Sequence, residues 1–241
     1  MLILALDTCD ARGSVAILRD GVALASEQHS VPEDYSSWLL PATERVLSAA
    51  GVRLPDIDLF AVAAGPGSFT ALRVGMTTVK AWSEVCGRPV VPVSRLEALA
   101  EQVQQPGELV AAFVDARRDQ LYAALFQRTA TGFTLLGEES VIAPDDFLAE
   151  VSNQAQNRPV TWISLDPAAL TRTPAWPAWE DRADLGESVI PADPLVAPAI
   201  ARIAIRRAAE GHATDALALD ANYIRRCDAE LFSKGKGFSA K

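Results

Sequence analysis

Two stretches of this chain follow one plan. In LILALDTCDARGSVAIL (2–18) an apolar run ends in an acid, Asp-Ala-Arg follows, and a second apolar run begins; LVAAFVDARRDQLYAALFQ (109–127) repeats that order around Asp115-Ala116-Arg117. A short, nearly continuous apolar run closed by an acid suits a central strand covered on both faces. A chain with two such units is expected to form two related lobes, each on its own sheet. The turn-rich QQPGE (104–108) marks the joint and places the lobes at 1–103 and 104–241.

The first half reads as βββαβαβα. Arg19-Asp20-Gly21 separates two strand-like runs, and Asp-Gly tolerates the positive φ of a hairpin turn. From Asp34 to Ala50 the pattern is helical, with Asp34 or Ser36 as cap and Gly51 as terminator. Pro41 inside it removes a donor and predicts a bend or a later first turn. DLFAVAA (58–64) is a buried strand, SFTALRVGMTTVKAWSEVCG (68–87) a second helix, and PVVPVSRLEALAEQV (89–103) a strand entering a third. Beyond residue 130 come strands in TGFTLLGEESVIAP (131–144) and RPVTWISL (158–165), then a loop-like stretch with Trp176 and Trp179. A helix over 193–211 and an ambiguous segment over 216–232 complete the chain, and this last helical part is expected to pack back on the first lobe.

Charge and cysteine usage exclude several functions. With 31 acidic and 22 basic residues the formal net charge is −9, which repels tRNA or an anionic membrane at long range. The basic clusters Arg206-Arg207, Arg225-Arg226 and SKGKGFSAK are too small to track a groove. Cys9, Cys86 and Cys227 are odd in number and form no C-x-x-C pair, which fits a reduced, cytoplasmic chain, and no apolar run is long enough to span a bilayer. The two histidines, His29 and His212, lie far apart, so neither a metal centre nor a histidine base beside Ser68 is expected.

The stretch AVAAGPGSFTALRVG (61–75) admits two readings. A strand, then Gly65-Pro66-Gly67-Ser68, then a helix aims backbone N–H groups at an anion. The run lacks the Walker lysine and the dinucleotide G-x-G-x-x-G spacing, so the other reading is a tight turn with Ser68 as helix cap. Within the helix, Gly75 costs about 1 kcal/mol relative to alanine, which calls for a packing reason. Ala71, Gly75 and Thr78 form a stripe of small side chains that admits another backbone, whether the chain's own sheet or a second chain. Trp38, Leu39, Met76, Val79 and Trp82 add apolar surface to the same two helices, facing either the sheet or a partner. Asp7 and Asp115 end predicted central strands, where α/β sheets place functional groups; the alternative is that Asp7 with Thr8, and Asp115 with Arg117, close their own turns.

Taken together, ILALDT, GPGSFTALRVG, VSRLEALA, DARRDQLY and ANYIRR resemble, in order and spacing, the TsaB (YeaZ) family of tRNA threonylcarbamoyladenosine biosynthesis. The resemblance is strongest over 1–125. It implies an α/β, actin-like (ASKHA) ATPase fold of two RNase H-like lobes with mixed sheets. It also implies a degenerate, non-catalytic subunit that binds the catalytic TsaD, assembles with the ATPase TsaE, and reaches tRNA only through the complex. The chain itself then requires no cofactor and no metal, while the complex uses ATP and Mg²⁺. The interface with TsaD, or with a second copy of the chain, would fall on Trp38, Leu39, Thr70, Ala71, Arg73, Val74, Gly75, Met76 and Thr78. The residues Asp7, Thr8, Gly65, Gly67, Ser68, Asp115 and Arg117 would form a structural turn or a vestigial nucleotide site. The chain departs from the family pattern in three places: Ala71 stands for glycine, Gln120 for glutamate, and Asp34-Tyr35-Ser36 for a histidine-led pair. An autonomous actin-like ATPase or small-molecule kinase is the alternative function.

Overall fold

The protein is described by a computed structural model covering residues 1–29, 34–104, 109–174, 176, 187–222 and 224. The Arg225-Arg226 pair, Cys227, Trp179 and the lysine-rich tail lie outside the described residues. So does most of the ambiguous segment 216–232.

The repeated sequence plan becomes a repeated topology. In the first lobe β1 (Leu2–Asp7), β2 (Ser14–Arg19) and β3 (Val22–Gln28) run antiparallel, and β4 (Leu59–Gly65) and β5 (Val90–Ser94) add in parallel beyond β1, giving the order β3-β2-β1-β4-β5. In the second, β6 (Leu109–Arg117), β7 (Gln120–Thr129) and β8 (Gly132–Ile142) are antiparallel, and β9 (Val160–Ser164) and β10 (Ser188–Pro191) add in parallel beyond β6. Read from the antiparallel edge, both sheets have one order and one mixture of strand directions. This is the two-lobed actin-like α/β fold. β1 and β6, the two apolar runs of the repeat, are the central strands, and every residue of β1 is buried.

In the first lobe α1 (Tyr35–Ala50) and α2 (Phe69–Cys86) follow β3 and β4, and the short α3 (Arg95–Ala100) follows β5. Pro41 lies inside α1, on its exposed side, and the helix continues past it to Gly51. Two elements of the second half differ from the sequence reading. Pro144–Ala155 forms α4, begun by Pro144 at its first turn with Asp145 and Asp146 behind it, and it buries Phe147, Leu148, Val151 and Ala155. β10 forms between the loop-like stretch and the helix over 193–211, where the sequence reading assigned no element. After the four-residue α5 (Ala168–Thr171), α6 (Ala197–Ala209) crosses back and packs on β1, β2, β4 and β5 of the first sheet. Its entry is fixed by the Ser14 hydroxyl, which accepts the Ala197 N–H at 2.9 Å.

The lobes are tied by polar contacts as well as by a shared core. Arg12 Nη1 donates to the Leu165 carbonyl at 2.7 Å, and Gln102 exchanges two hydrogen bonds with the backbone of Asp193. Beside them the Glu139 carboxylate of β8 accepts from the Ser94 hydroxyl of β5 and from Asn222 Nδ2, the latter at 2.6 Å. Burial pushes the Glu139 carboxyl above its ordinary range, and Ser94, Asn222 and Arg207 pull it the other way. Among the described residues, no helix is long and apolar enough to cross a membrane.

Candidate functional site

The C-terminal ends of β1, β4, β6 and β9 open into one cleft of ≈ 760 Å³ between the lobes. Strand ends are where loops of an α/β sheet diverge and leave room for a ligand. Residues 9–12 and 66–69 line it from the first lobe, and 114–118, Leu165 and Asp166 from the second. The two Asp-Ala-Arg copies, Asp10-Ala11-Arg12 and Asp115-Ala116-Arg117, therefore face the same space.

The chemistry of the floor is set by three charged side chains. Asp7 is fully buried at the end of β1; its Oδ1 accepts the Cys9 N–H at 2.8 Å and its Oδ2 accepts Arg95 Nε at 3.2 Å. The other arm of the Arg95 guanidinium lies 2.9 Å from Asp10 Oδ2. Arg95 is the first residue of α3, fixed there because the Ser94 hydroxyl caps the helix by accepting the Glu97 N–H at 3.2 Å. Its side chain runs inward and is 1% exposed. Burial alone would lower the Arg95 pKa, but Asp7 and Asp10 outweigh it and hold the guanidinium more firmly charged than usual. The neighbouring Cys9 thiol is pushed up, by burial first and by Asp7 second, so it stays a protonated, inert core residue. Tyr35 closes the back of the site: its hydroxyl donates to the Asp10 carbonyl and its ring stacks on His29 at 4.5 Å.

The glycine turn is held from within. The Ser68 N–H donates to the Cys9 carbonyl at 2.6 Å, and a Cβ on Gly67 would overlap that same carbonyl, so the two loops touch backbone to backbone. Ser68 stands at the N-cap of α2, as expected, but its hydroxyl makes no capping bond, because that loop contact and not the side chain positions the helix start. Asp115 and Arg117 close their own turn: Asp115 Oδ1 accepts the Arg117 N–H at 2.7 Å and Oδ2 lies 3.5 Å from Arg117 Nη1. Of the residues grouped as a turn or vestigial site, Gly67, Ser68, Asp115 and Arg117 line the cleft, and Asp7 lies beneath it. Gly65 backs onto the Asn222 carbonyl, and Thr8 faces away, into α2.

The set expected at a partner interface divides. Trp38, Leu39, Gly75 and Met76 are buried within the lobe, which corrects the reading that they face outward. Trp38 packs against His29 and Tyr35 and donates from Nε1 to Glu27 at 3.1 Å, so α1 uses its large aromatic to hold its own sheet. The packing reason for Gly75 is internal too, since a Cβ there would overlap the Thr8 hydroxyl. Thr70 and Arg73 are exposed, and Ala71, Val74 and Thr78 half-buried. They belong to an outer stripe of α2 that continues through the exposed Thr77, Ala81 and Val85, the last 84% exposed, while Leu40 projects from α1.

Arg95, Asp10 and Arg12 escaped the sequence reading as site residues. For Arg95 the signal was a cation on the first position of an otherwise apolar helix, LEALA, where only Glu97 intervenes. For Asp10 and Arg12 it was the repeated Asp-Ala-Arg itself. Among the described residues, no three His, Cys, Asp or Glu side chains group as a metal site.

Comparison with known proteins places this geometry. The family model described as TsaD, tRNA N6-adenosine threonylcarbamoyltransferase, matches residues 24–172, more than half of the chain. The tRNA threonylcarbamoyladenosine biosynthesis protein TsaB of Escherichia coli is 28% identical over 75% of this chain and 74% of its own length. Its namesake from Bacillus subtilis is 33% identical over 53% of this chain and 56% of its own, so that match spans about half of the relative. The solved structure of YeaZ from Pseudomonas aeruginosa superimposes with a TM-score of 0.75 at 29% identity, covering 92% of this chain and 99% of that one.

Proposed function

We infer the function of this chain from its family: it belongs to the TsaD family of tRNA N6-adenosine threonylcarbamoyltransferases, and its resemblance within that family is to the proteins named TsaB or YeaZ. The reading that fits best is a non-catalytic subunit in the synthesis of N6-threonylcarbamoyladenosine on tRNA. It binds and supports a TsaD-type transferase, with TsaE joining the assembly and ATP and Mg²⁺ used by the complex rather than by this chain. With a net charge of −9 the chain meets tRNA through its partners.

The outer stripe of α2 carries this reading. Thr70, Arg73, Thr77, Ala81 and Val85 present a mostly small, weakly charged helical surface beside Leu40, and small residues let a second helix approach closely. Arg73 lies over the Phe69 ring, 3.7 Å from its centroid, which orders the start of the stripe. The test is size-exclusion chromatography of the chain mixed with the TsaD-type transferase of the same cell. The mixture is expected to elute as a complex, and Thr77→Glu with Val85→Glu, both solvent-facing, to separate the two proteins. Separate elution of the unaltered proteins, or a complex indifferent to the double change, contradicts the reading.

A further inference from the structure

An actin-like fold implies a divalent cation and a nucleotide at the end of its first central strand, and the residues present here do not fit one. A carboxylate already paired with a buried cation of its own chain holds a second cation poorly, because the two like charges repel where water does not screen them. At the floor of this cleft Asp7 is paired with such a cation: its Oδ2 accepts from Arg95 Nε at 3.2 Å, both side chains being buried, while its Oδ1 accepts the Cys9 N–H. Asp10 is also engaged twice: its Oδ1 accepts the Arg12 N–H at 2.6 Å, and its Oδ2 faces Arg95 Nη2.

We propose that the Arg95 guanidinium is a built-in cation that occupies the place of the metal between Asp7 and Asp10, and that it excludes divalent cations, and with them metal-bound nucleotides, from this cleft. A guanidinium suits the task because it stays charged when buried and its planar fork reaches both carboxylates, Nε hydrogen-bonded to Asp7 and Nη2 at ion-pair distance from Asp10. Burial makes the exclusion durable. A second cation entering the pair would meet a charge that no solvent screens, and displacing Arg95 would leave the guanidinium buried without a partner. The Ser94 cap on α3 removes the remaining freedom by fixing where the side chain starts. The inference is independent of the partner role, since a subunit could hold a metal of its own and still bind a transferase.

Two measurements on the full chain with Mn²⁺ as probe test it. In the unaltered protein, Mn²⁺ is expected to leave the amide resonances of Asp7, Cys9 and Asp10 unbroadened; selective broadening there overturns the proposal without recourse to any variant. In Arg95→Ala the two carboxylates lose their cation, and Mn²⁺ retention read by electron paramagnetic resonance is expected to tighten at least about tenfold. A folded Arg95→Ala that retains Mn²⁺ no better than the unaltered chain also overturns it. Should Arg95→Ala not fold alone, recovery of its melting transition on adding Mn²⁺ supports the proposal, and failure of Mn²⁺ to recover it counts against it. Loss of complex formation with the transferase is read separately, by chromatography, and bears only on the partner role.

Discussion

Gly75 in the middle of α2 lies directly against the Thr8 hydroxyl at the end of β1, with no space for a Cβ between them. The contact joins the helix that carries the exposed stripe to the strand end that carries Asp7. The small-residue pattern of α2 thus has two sides. Gly75 serves the inside, and Thr70, Thr77 and Ala81 shape the outside.

Gly75→Ala is expected to destabilise the protein despite the better helix former. Overpacking a closed contact costs about 1–3 kcal/mol, and the propensity gain returns about 1 kcal/mol. Among the described residues the Thr8 hydroxyl has no hydrogen-bond partner, so Thr8→Ala should be close to neutral and should rescue Gly75→Ala. Urea unfolding of the two single variants and the double variant measures this. A Gly75→Ala midpoint at or above that of the unaltered chain removes the contact from the account.

Trp38→Ala separates packing from partner binding. The indole is 3% exposed and hydrogen-bonded to Glu27, which Arg45 also holds, so truncation should cost about 3–5 kcal/mol of stability. Under conditions where the variant remains folded, its affinity for the transferase should be unchanged. Retained stability with lost binding would place Trp38 at the interface after all.

The Ser94–Glu139–Asn222 junction gives a pH dependence of definite sign. Burial raises the Glu139 carboxyl above its usual 4.5, so the folded chain keeps that proton to higher pH than the unfolded chain. Its contribution is complete below pH 4.5 and is lost as pH rises through the folded-state value. Glu97 acts in the same direction, raised by burial and opposed by Arg207 and Arg206. Glu139→Gln carries no proton to lose, so its stability relative to the unaltered chain should climb from about pH 4 towards neutrality. Denaturant melts across that range check it; a difference that is flat, or that falls with pH, contradicts the assignment.

Much of this architecture was legible because it rests on local patterns. The two apolar runs closed by Asp7 and by Asp115-Ala116-Arg117 became the central strands, and Asp20-Gly21 became the hairpin turn. The α4 signal was present in Pro144, two following acids and Phe147, Leu148, Val151 and Ala155 at helical spacing, but the weak stretch after it obscured it. The floor of the cleft was not legible, because Arg95 meets Asp7 across 88 residues, and it is the insertion of β4 between β1 and β5 in the sheet that sets the β5–α3 junction near the end of β1. The side of α2 that faces Thr8 was equally hidden: a stripe of small residues states that something approaches, and only tertiary packing states what. The α2 start likewise depends on the Cys9 carbonyl, a contact between loops that no cap motif announces.

The proposed role makes this chain necessary for tRNA threonylcarbamoyladenosine synthesis while leaving the chemistry to the transferase. Its most direct test is formation of N6-threonylcarbamoyladenosine on tRNA by the TsaD-type transferase, TsaE, ATP, Mg²⁺ and a threonylcarbamoyl donor, with this chain or the transferase omitted in turn. Product is expected only when both are present, and none from the chain alone. Full product without the chain, or product from the chain without the transferase, would contradict it.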